Sequence, residues 1–402
     1  MNILFLCNKN PYPEKDGGSI AMNANIKEAV KRNYYVKVLA VNSDKIFTDV
    51  NTIPDNYKDA THYESVYFNL KVRPFPFFKT FFTKKSPHII RFISEDYKKR
   101  LSEILTNTDF DIVMLESLFM CPYIEIIRQH SRAEIVLRSH NIEHQIWKRI
   151  YKNCNNIIKK PLLKHVYKTL ERYELSVLYK VDAIAAITDI DASFFRENTT
   201  TPVFTLPFGI DIEHIRKPEN ASMEKNSLFH LGSMNWEPNI EGVNWFLENI
   251  APALNKDLPD VKIYLAGRNM PQTLYDKHPE NVVVVGEVED AYSFMYSKQI
   301  MFIPLLSGSG MRIKLIEAMT LCKSVISTSI GAEGVEVENG KDIVIADTPD
   351  EMIFRIKQLF NNPEAANFIG QNAGEKAKKY NIKQIFDSFE NFINTNLTNS
   401  NG

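Results

Sequence analysis

Five residues between positions 308 and 317 have the types and spacing needed to bind a nucleoside diphosphate. They are Gly308, Gly310, Arg312, Lys314 and Glu317. The apolar run 301–306 precedes them and predicts a buried parallel strand, so the glycines would turn the chain from that strand into a helix. The first N–H groups of such a helix and its dipole favour phosphate, and the two cations add full charges at the same end.

Glu317 adds a different chemistry to this turn. Because a helix turns ~100° per residue, Glu317 returns to the helix face of Gly310, about 10 Å further along the axis. A carboxylate at that distance from the phosphates can accept hydrogen bonds from a ribose diol. The spacing therefore predicts a nucleotide site, and an ordinary buried strand and helix with a solvated glutamate is the alternative.

The first half of the chain offers a glycine pair and a histidine. Gly17 and Gly18 end a loop rich in proline and glycine, ahead of a predicted helix over 20–31. They would let backbone N–H groups approach a phosphate or a sugar, or simply end a flexible loop. His140 follows a predicted strand over 134–137, at the edge where open parallel sheets place their ligands. It is a candidate general base or sugar ligand, whereas the neighbouring His144 reads as a surface residue.

The residues favour neither a metal centre nor a bound cofactor. Asp189 and Asp191 form a D-x-D pair, but helix capping by Thr188 or Asp189 explains the pair more simply. The four cysteines are far apart, which predicts neither a zinc site nor disulfides and fits a reducing cytoplasm. The glycine spacing does not match a dinucleotide fingerprint, which disfavours a dehydrogenase.

Alternating strands and helices recur twice along the chain and predict two doubly wound α/β halves. We expect domains at 1–205 and 206–380, since proline, glycine and charged residues accumulate at the crossing between them. The segment 381–402 is expected to form a helix, with packing on the N-terminal domain as one option, and a disordered tail. A ligand shared by two such halves would lie in a cleft between them.

Charge is distributed unevenly between the halves. Residues 1–200 carry 30 basic and 23 acidic residues, a net of +7, and residues 201–402 carry 18 and 26, a net of −8. The basic excess is concentrated in 71–100, where it is mixed with phenylalanines, and in 147–173. Such blocks suit an anionic membrane surface or an anionic acceptor, and solvated helix faces are the alternative. No nucleic-acid motif accompanies them.

The chain resembles the retaining glycosyltransferases of family 4, which have the GT-B fold. The resemblance covers nearly the whole chain and is strongest over 229–340, in the segments LGSMNWEPNIEG, LAGR, VVVVGEV, SGSGMRIKLIEAM and SVISTSIGAEGVEV. It implies two Rossmann-like domains facing across a cleft, with the acceptor on the N-terminal side and the donor on the C-terminal side.

The resemblance also implies roles for individual residues. Glu317 would contact the nucleotide ribose, the N–H groups from Gly310 to Ile313 would hold the diphosphate, and His140 would assist the reacting hydroxyl or brace the sugar. The other implied donor contacts are Gly17, Gly18, Gly232, Ser233, Arg268, Val288, Ser307, Gly308, Ser309, Gly310 and Met311.

The chain departs from the family pattern at charged positions. Ser309 stands where the first glutamate of the E-x7-E motif is expected, and Ser233 and Glu241 stand where the family has an arginine and a lysine. A diphosphate leaving group needs cations or aligned donors. Arg312, Lys314 and Arg268 are the available replacements, and we expect them to take over this role without a metal ion; the list of catalytic candidates is therefore His140, Arg312 and Lys314.

The sequence thus predicts a cytoplasmic glycosyltransferase that moves a sugar from a nucleoside-diphosphate sugar to a saccharide or lipid-linked acceptor, in polysaccharide or glycoconjugate synthesis. Two alternatives stay open. The missing charged residues are compatible with a non-catalytic subunit that binds a partner transferase, and the same fold could support a nucleotide-sugar epimerase.

Overall fold

Parallel strands separated by helices build both halves of the chain, as the alternating pattern predicts. In the computed structural model the described residues are 1–14, 17–71, 80, 85–154, 156–215, 222–276, 278–308 and 311–397. They divide into a first unit, Met1–Gly209 with Ile382–Gly402, and a second unit, Ile210–Asn381. The chain therefore leaves the first unit near Gly209 and returns to it at Ile382.

The first unit contains a seven-stranded parallel sheet in the order β3-β2-β1-β4-β5-β6-β7. Its strands are β1 (Asn2–Cys7), β2 (Tyr35–Asn42), β3 (Glu64–Tyr67), β4 (Ile112–Glu116), β5 (Glu134–Ser139), β6 (Ala183–Ala186) and β7 (Val203–Thr205). Its helices up to residue 198 are α1 (Gly17–Lys31), α2 (Asp55–Thr61), α3 (Pro87–Ile90), α4 (Glu95–Asn107), α5 (Ile124–His130), α6 (Glu143–Asn153), α7 (Lys159–Val177) and α8 (Asp189–Asn198).

The second unit repeats this plan with a six-stranded parallel sheet in the order β10-β9-β8-β11-β12-β13. Its strands are β8 (Ser227–Leu231), β9 (Lys262–Ala266), β10 (Val282–Gly286), β11 (Ile300–Ile303), β12 (Ser324–Ser327) and β13 (Val344–Ile345). Its helices are α9 (Glu237–Asn249), α10 (Ala251–Asp257), α11 (Gln272–Asp276), α12 (Ala291–Ser297), α13 (Ile313–Thr320), α14 (Pro349–Asn361) and α15 (Pro363–Ala377).

The last helix, α16 (Ile382–Asn396), packs against α1 in the first unit. Phe386, Phe389 and Ile393 are buried in the core that α1 and the sheet share. Arg32, which follows α1, forms ion pairs with two acids of α16. Burial of this apolar face explains why the chain crosses back after completing the second unit.

Each sheet reverses its strand order once, and these switch points position the candidate site. In the first sheet the reversal lies between β1 and β4, and in the second between β8 and β11. Loops at the carboxyl ends of strands beside such a reversal are where open α/β sheets bind ligands. Three predicted boundaries differ from the structure: α1 begins at Gly17 rather than near residue 20, β5 continues through Arg138 and Ser139, and β11 ends at Ile303 rather than at residue 306.

The predicted helical region 145–179 is two helices, α6 and α7. The first of them ends at Asn153 and the second begins at Lys159, and Ile157 and Ile158 before it are 85% and 88% exposed. Because these residues bury no apolar surface against the unit, nothing in the core requires them to continue the helix. None of the helices in the described part of the chain has the length and apolar character that crossing a membrane requires.

Candidate active site

His140 lies directly after β5, and a buried carboxylate holds it. Its Nε2 atom is 2.8 Å from Oε2 of Glu116, the last residue of β4. Glu116 is fully buried, and the imidazole of His140 is largely buried. Burial lowers the pKa of His140, and the charge of Arg138 adds to this effect, whereas the hydrogen bond to Glu116 opposes it. The imidazole is therefore neutral at neutral pH.

Arg138 is the charge that compensates Glu116. The sequence interpretation placed Arg138 in a polar segment beyond the strand, and this is wrong: the side chain lies in β5 and is completely buried. Its Nη1 atom is 3.2 Å from Oε2 of Glu116 and donates to the carbonyl of Ala21 in α1 at 3.1 Å. The buried position is tolerated because a partner of opposite charge and a carbonyl receive the guanidinium.

Arg138 also connects the histidine to the glycine pair. Asn25 of α1 faces the guanidinium, and the amide orientation that satisfies both groups places the Asn25 oxygen 3.1 Å from Nη1. Gly17 and Gly18 form the first turn of this helix, not the loop before it. The buried Arg138 therefore connects α1, which begins with Gly17 and Gly18, to the sheet edge where His140 lies.

His144 is a correction to the sequence interpretation, which placed it on the surface. It is 4% exposed, and its Nδ1 atom lies 2.7 Å from Oε2 of Glu174 in α7. The backbone N–H groups of Glu143 and His144 also donate to the Glu174 carboxylate, which so caps the start of α6. Burial and the Glu174 charge raise the pKa of the Glu143 carboxyl to about 7, against the opposing effects of Asn141 and Arg91.

In the second unit, the turn after β11 brings a glycine, an aromatic ring and an arginine together. Gly308 has a φ angle of +113°, and a Cβ atom there would lie 3.1 Å from both Trp236 and Arg312. The Arg312 guanidinium lies 5.3 Å from the centre of the Trp236 ring and donates to the carbonyl of Ile330. Only glycine adopts this backbone without strain and leaves room for the stacked pair.

Arg312 occupies the N-cap position of α13 without a capping hydrogen bond from its side chain, and Ile313 is the first residue of that helix. The side chain of Arg312 is 8% exposed. Burial lowers the pKa of its guanidinium, while Glu333 acts in the opposite direction. An arginine in proteins stays charged, so a desolvated cation lies at the amino end of α13. Ser309 and Gly310 fall outside the described residues. Met311, the residue before Arg312 in the sequence, is half-buried.

Glu317 lies in the second turn of α13 and is 7% exposed. Tyr292 of α12 donates its hydroxyl to Oε1 of Glu317 at 3.0 Å. Lys314 places its ammonium 2.8 Å from Oε2. Both carboxylate oxygens of Glu317 are thus in contact with side chains, and the sequence interpretation predicted neither contact. Lys314 forms an ion pair with Glu317 and is not an isolated cation.

The loop after β8 approaches the backbone after β9 closely. Gly267 has a φ angle of +143°, and a Cβ atom there would lie 1.7 Å from the carbonyl oxygen of Gly232. Asn239 donates to the carbonyl of Ser233 at 2.9 Å, and the N–H of Met234 donates to the carbonyl of Arg268. These contacts fix Gly232 and Ser233 at the carboxyl end of the β8 strand, beside the β11 turn.

Three further predicted residues lie at the same sheet edge. Arg268 is exposed and pairs with Glu287 at 2.9 Å, and Val288 is half-buried after β10. Ser307 donates to Glu241 at 2.5 Å, so the acid that replaces the family's lysine is hydrogen-bonded to the glycine turn. The sequence missed Trp236 and Tyr292; an aromatic residue within six positions of a strand end was the available signal.

The D-x-D pair behaves as a helix start. Thr188 accepts a hydrogen bond from the N–H of Asp191 and caps α8, as predicted. Asp189 accepts from Thr205 at 2.5 Å. Within the described residues, no group of three or more His, Cys, Asp or Glu side chains is placed to hold a metal ion.

Comparisons with known proteins identify a family model and several similar chains. Residues 225–362 match the family model described as Glycosyl transferases group 1. That range contains the glycine turn, Arg312 and Glu317. The match lies entirely within the second unit.

A curated relative and solved structures extend the similarity to the rest of the chain. An uncharacterized 44.6 kDa protein in the cps region of Klebsiella pneumoniae is 25% identical over 307 residues, which is 72% of this chain and 76% of that protein. Anabaena HepE in complex with UDP matches with a TM-score of 0.68 at 13% identity, covering 98% of this chain and 100% of that one.

A third similar protein is a TarM variant from S. aureus in complex with fondaparinux, α-GlcNAc-glycerol and UDP. Its TM-score is 0.65 at 14% identity, and the match covers 98% of this chain and 100% of that chain. The chain is a glycosyltransferase with the GT-B fold, as the sequence pattern predicted.

Proposed function

We propose that this GT-B glycosyltransferase takes its sugar from a nucleoside-diphosphate sugar with a uridine base. The observation that carries the proposal is the turn between β11 and α13. It presents a desolvated arginine at the helix start and a carboxylate one turn further on, in the order that a diphosphate and a ribose require. The UDP complex of HepE and the UDP-containing complex of TarM support the choice of uridine.

Each donor contact then has a definite role. Glu317 accepts hydrogen bonds from the ribose hydroxyls, and the N–H groups at the start of α13 receive the diphosphate together with Arg312. Lys314 contributes when its ion pair with Glu317 opens. Gly232, Ser233, Ser307 and Gly308 line the space for the diphosphate and sugar, Val288 lies near the base, and Gly17 and Gly18 are further donor contacts.

The same proposal assigns the chemistry to side chains and needs neither a metal ion nor a cofactor. Arg312 stabilises the negative charge that develops on the leaving diphosphate, since a guanidinium shielded from water acts more strongly than an exposed one. His140, neutral and held by Glu116, accepts a hydrogen bond from the reacting hydroxyl. The stereochemical outcome proposed is retention, and the acceptor is a saccharide or a lipid-linked saccharide in polysaccharide or glycoconjugate synthesis.

The test is a titration of the purified chain with a panel of nucleotide sugars that share UDP, followed by turnover with saccharide acceptors in the presence of EDTA. We expect binding of at least one UDP-sugar, transfer that EDTA leaves unchanged, and retained anomeric configuration in the product. Failure of every nucleotide to bind favours a non-catalytic subunit. Conversion of the donor sugar without an acceptor favours an epimerase.

Arg312 gives the sharpest variant for this test. Arg312→Ala should reduce turnover about 100-fold, by analogy with the loss of a single donor to a developing oxyanion. The matched control is Arg355→Ala, an exposed arginine of α14 that also lies near an aromatic ring, Phe354. Equal turnover of the two variants, with both folded, would remove Arg312 from the mechanism.

We further propose peripheral contact with an anionic membrane through the segment between α6 and α7. Its two exposed isoleucines, Ile157 and Ile158, stand among cationic side chains. These are Lys152, Lys159, Lys160 and Lys164. Exposed apolar residues surrounded by lysine fit a surface of acidic lipid headgroups. The phenylalanines of the first basic block, at 75, 77, 78, 81 and 82, lie outside the described residues.

A further inference from the structure

Glu116 ends β4 at the switch point of the first sheet, and its environment is unusual for a carboxylate. Its side chain is 0% exposed, yet Oε2 contacts two nitrogen atoms from β5 and the residue after it: His140 Nε2 at 2.8 Å and Arg138 Nη1 at 3.2 Å. The partners are 24 and 22 residues away in sequence. Parallel pairing of β4 with β5 is what brings them together.

The charge state of this group follows from its neighbours. Burial alone would raise the pKa of Glu116, but Arg138 and His140 outweigh burial, and the pKa is lowered. The carboxylate is therefore ionised and can only accept hydrogen bonds. His140 must then donate from Nε2, which leaves the lone pair of the neutral imidazole on Nδ1.

Arg138 holds this arrangement from behind. The guanidinium is fully buried and contacts three groups on two structural elements: Glu116 at the end of β4, the carbonyl of Ala21 in α1, and Asn25 in α1. A carboxylate fixed on one side by an immobile cation cannot rotate away from the histidine. The Glu116 carboxylate and the Arg138 guanidinium together therefore fix the orientation of the His140 ring and select the nitrogen that carries its proton.

We propose that Glu116, braced by Arg138, is a positioning residue that fixes His140 with Nδ1 as the hydrogen-bond acceptor for the reacting hydroxyl. This inference rests on the proposed role of His140 in transfer. It goes further by naming the group that selects the tautomer. A buried ion pair that serves only stability is the competing explanation, and the experiment separates the two.

The experiment compares kcat, KM for the donor and the pH profile of kcat among four variants. They are Glu116→Gln, Glu116→Asp, His140→Ala and the double variant Glu116→Gln with His140→Ala. Glu116→Gln should lower kcat by about 10- to 100-fold with little change in donor KM, as is typical for a group that orients a functional histidine. Glu116→Asp keeps the charge and should recover part of the loss.

Two readouts distinguish positioning from mere stability. Glu116 raises the pKa of His140 in the wild type, so Glu116→Gln should move the acid limb of the kcat profile to lower pH. The double variant should be no slower than His140→Ala, because Glu116 acts only through the histidine. Additive losses with an unmoved acid limb would overturn the proposal.

Controls separate the possible failures. Full activity of His140→Ala would contradict the proposed function, whereas a slow His140→Ala beside a fully active Glu116→Gln would contradict only this inference. The control Glu125→Gln makes the same change at an exposed residue of α5 and should keep the wild-type kcat. If Glu116→Gln unfolds because Arg138 is left uncompensated, the double variant Glu116→Gln with Arg138→Met removes both buried charges. This variant should fold and show the same loss of kcat, and a wild-type kcat would overturn the proposal.

Discussion

Glu317 contacts Tyr292 and Lys314, so a ribose that binds this carboxylate must join an existing network. A hydrogen bond to a charged group contributes roughly 1.5–3 kcal/mol, and a diol lacking its carboxylate would forfeit that amount. The Glu317 carboxylate therefore determines how strongly the site after β11 discriminates between nucleotides.

Substitution of Glu317 should weaken this discrimination. We expect the wild type to bind UDP about 10- to 100-fold more tightly than 2′,3′-dideoxy-UDP, and Glu317→Gln to lower this ratio to about 2- to 10-fold, because its amide oxygen still accepts a hydrogen bond but carries no charge. Calorimetric titration of both ligands gives the ratio. Because the ratio compares two ligands on one protein, release of Lys314 toward the phosphates does not distort it.

Glu338→Gln is the matched control for Glu317→Gln. Glu338 also forms a close ion pair with a lysine three residues away, Lys341 at 3.0 Å, but it is well exposed. This variant should keep the wild-type preference for UDP. A preference that survives undiminished in Glu317→Gln as well would rule out the ribose contact.

Glu143 predicts a pH dependence of stability at the same scale. Its pKa is raised from 4.5 to about 7 in the folded chain, mainly by burial. A raised pKa contributes stability that is present below pH 4.5 and lost as the pH rises through 7, because the unfolded carboxyl ionises first. Across this window the wild type should lose roughly 3 kcal/mol of unfolding free energy that Glu143→Gln does not lose.

Urea denaturation at pH 4.5 and pH 8 measures this difference. Glu197→Gln, an exposed substitution near the end of α8, should follow the wild type at both values. Parallel pH dependence of the wild type and Glu143→Gln would show that the carboxyl ionises in the folded chain as it does in the unfolded one.

At the scale of elements, Gly308 lies in the segment that joins β11 to α13. Gly308 combines a positive φ angle with close neighbours on both sides, Trp236 and Arg312. Gly340 has a comparable φ angle of +80°, but a Cβ atom there would meet nothing within 4 Å. Substitutions at the two glycines therefore distinguish the effect of backbone strain from the effect of crowding at the donor site.

Gly308→Ala and Gly340→Ala should each reduce the unfolding free energy by about 1–3 kcal/mol, the usual strain of a non-glycine residue in this region. Only Gly308→Ala should also weaken UDP binding, by about 10-fold or more, because the new methyl group displaces Arg312 from Trp236. Thermal unfolding and UDP titration of both variants give the comparison. Equal UDP affinity in the two variants would mean that the turn does not contact the diphosphate.

On the scale of the whole molecule, the net charges of +7 for residues 1–200 and −8 for residues 201–402 separate basic and acidic surfaces along the chain. The acidic half contains the proposed site for an anionic donor, so attraction must come from local cations rather than from the net field. The basic half contains the exposed segment between α6 and α7. An interaction with an anionic surface is therefore expected of the first unit, not the second.

Vesicle flotation tests this expectation. The protein should bind vesicles of phosphatidylglycerol and phosphatidylcholine and should not bind vesicles of pure phosphatidylcholine. It should dissociate from the acidic vesicles in 0.5 M salt, because salt screens lysine contacts with acidic lipids. Ile157→Ser with Ile158→Ser should weaken the binding. Phe368→Ser, which removes an exposed apolar residue of the second unit, should not. Equal binding of the two variants would place the membrane contact elsewhere.

The sequence by itself determined the features that depend on short stretches of chain. Alternating strands and helices predicted both sheets, and the order of glycine, arginine and glutamate after β11 predicted a helix that carries Glu317 on the face of Gly310, about 10 Å further along the axis. Local pattern was also enough for the cap of α8 at Thr188. These features follow from helix periodicity, turn geometry and capping, which act over a few residues.

Only the tertiary structure decided which side chains face one another. Arg138 was read as a polar residue beyond a strand because its partner Glu116 belongs to another strand, and His144 was read as a surface residue because Glu174 lies 30 positions away. Trp236 likewise meets Arg312 only where the ends of β8 and β11 are neighbours. Burial of a charge is acceptable only when a compensating group is present, and strand order, not local sequence, brings that group into contact.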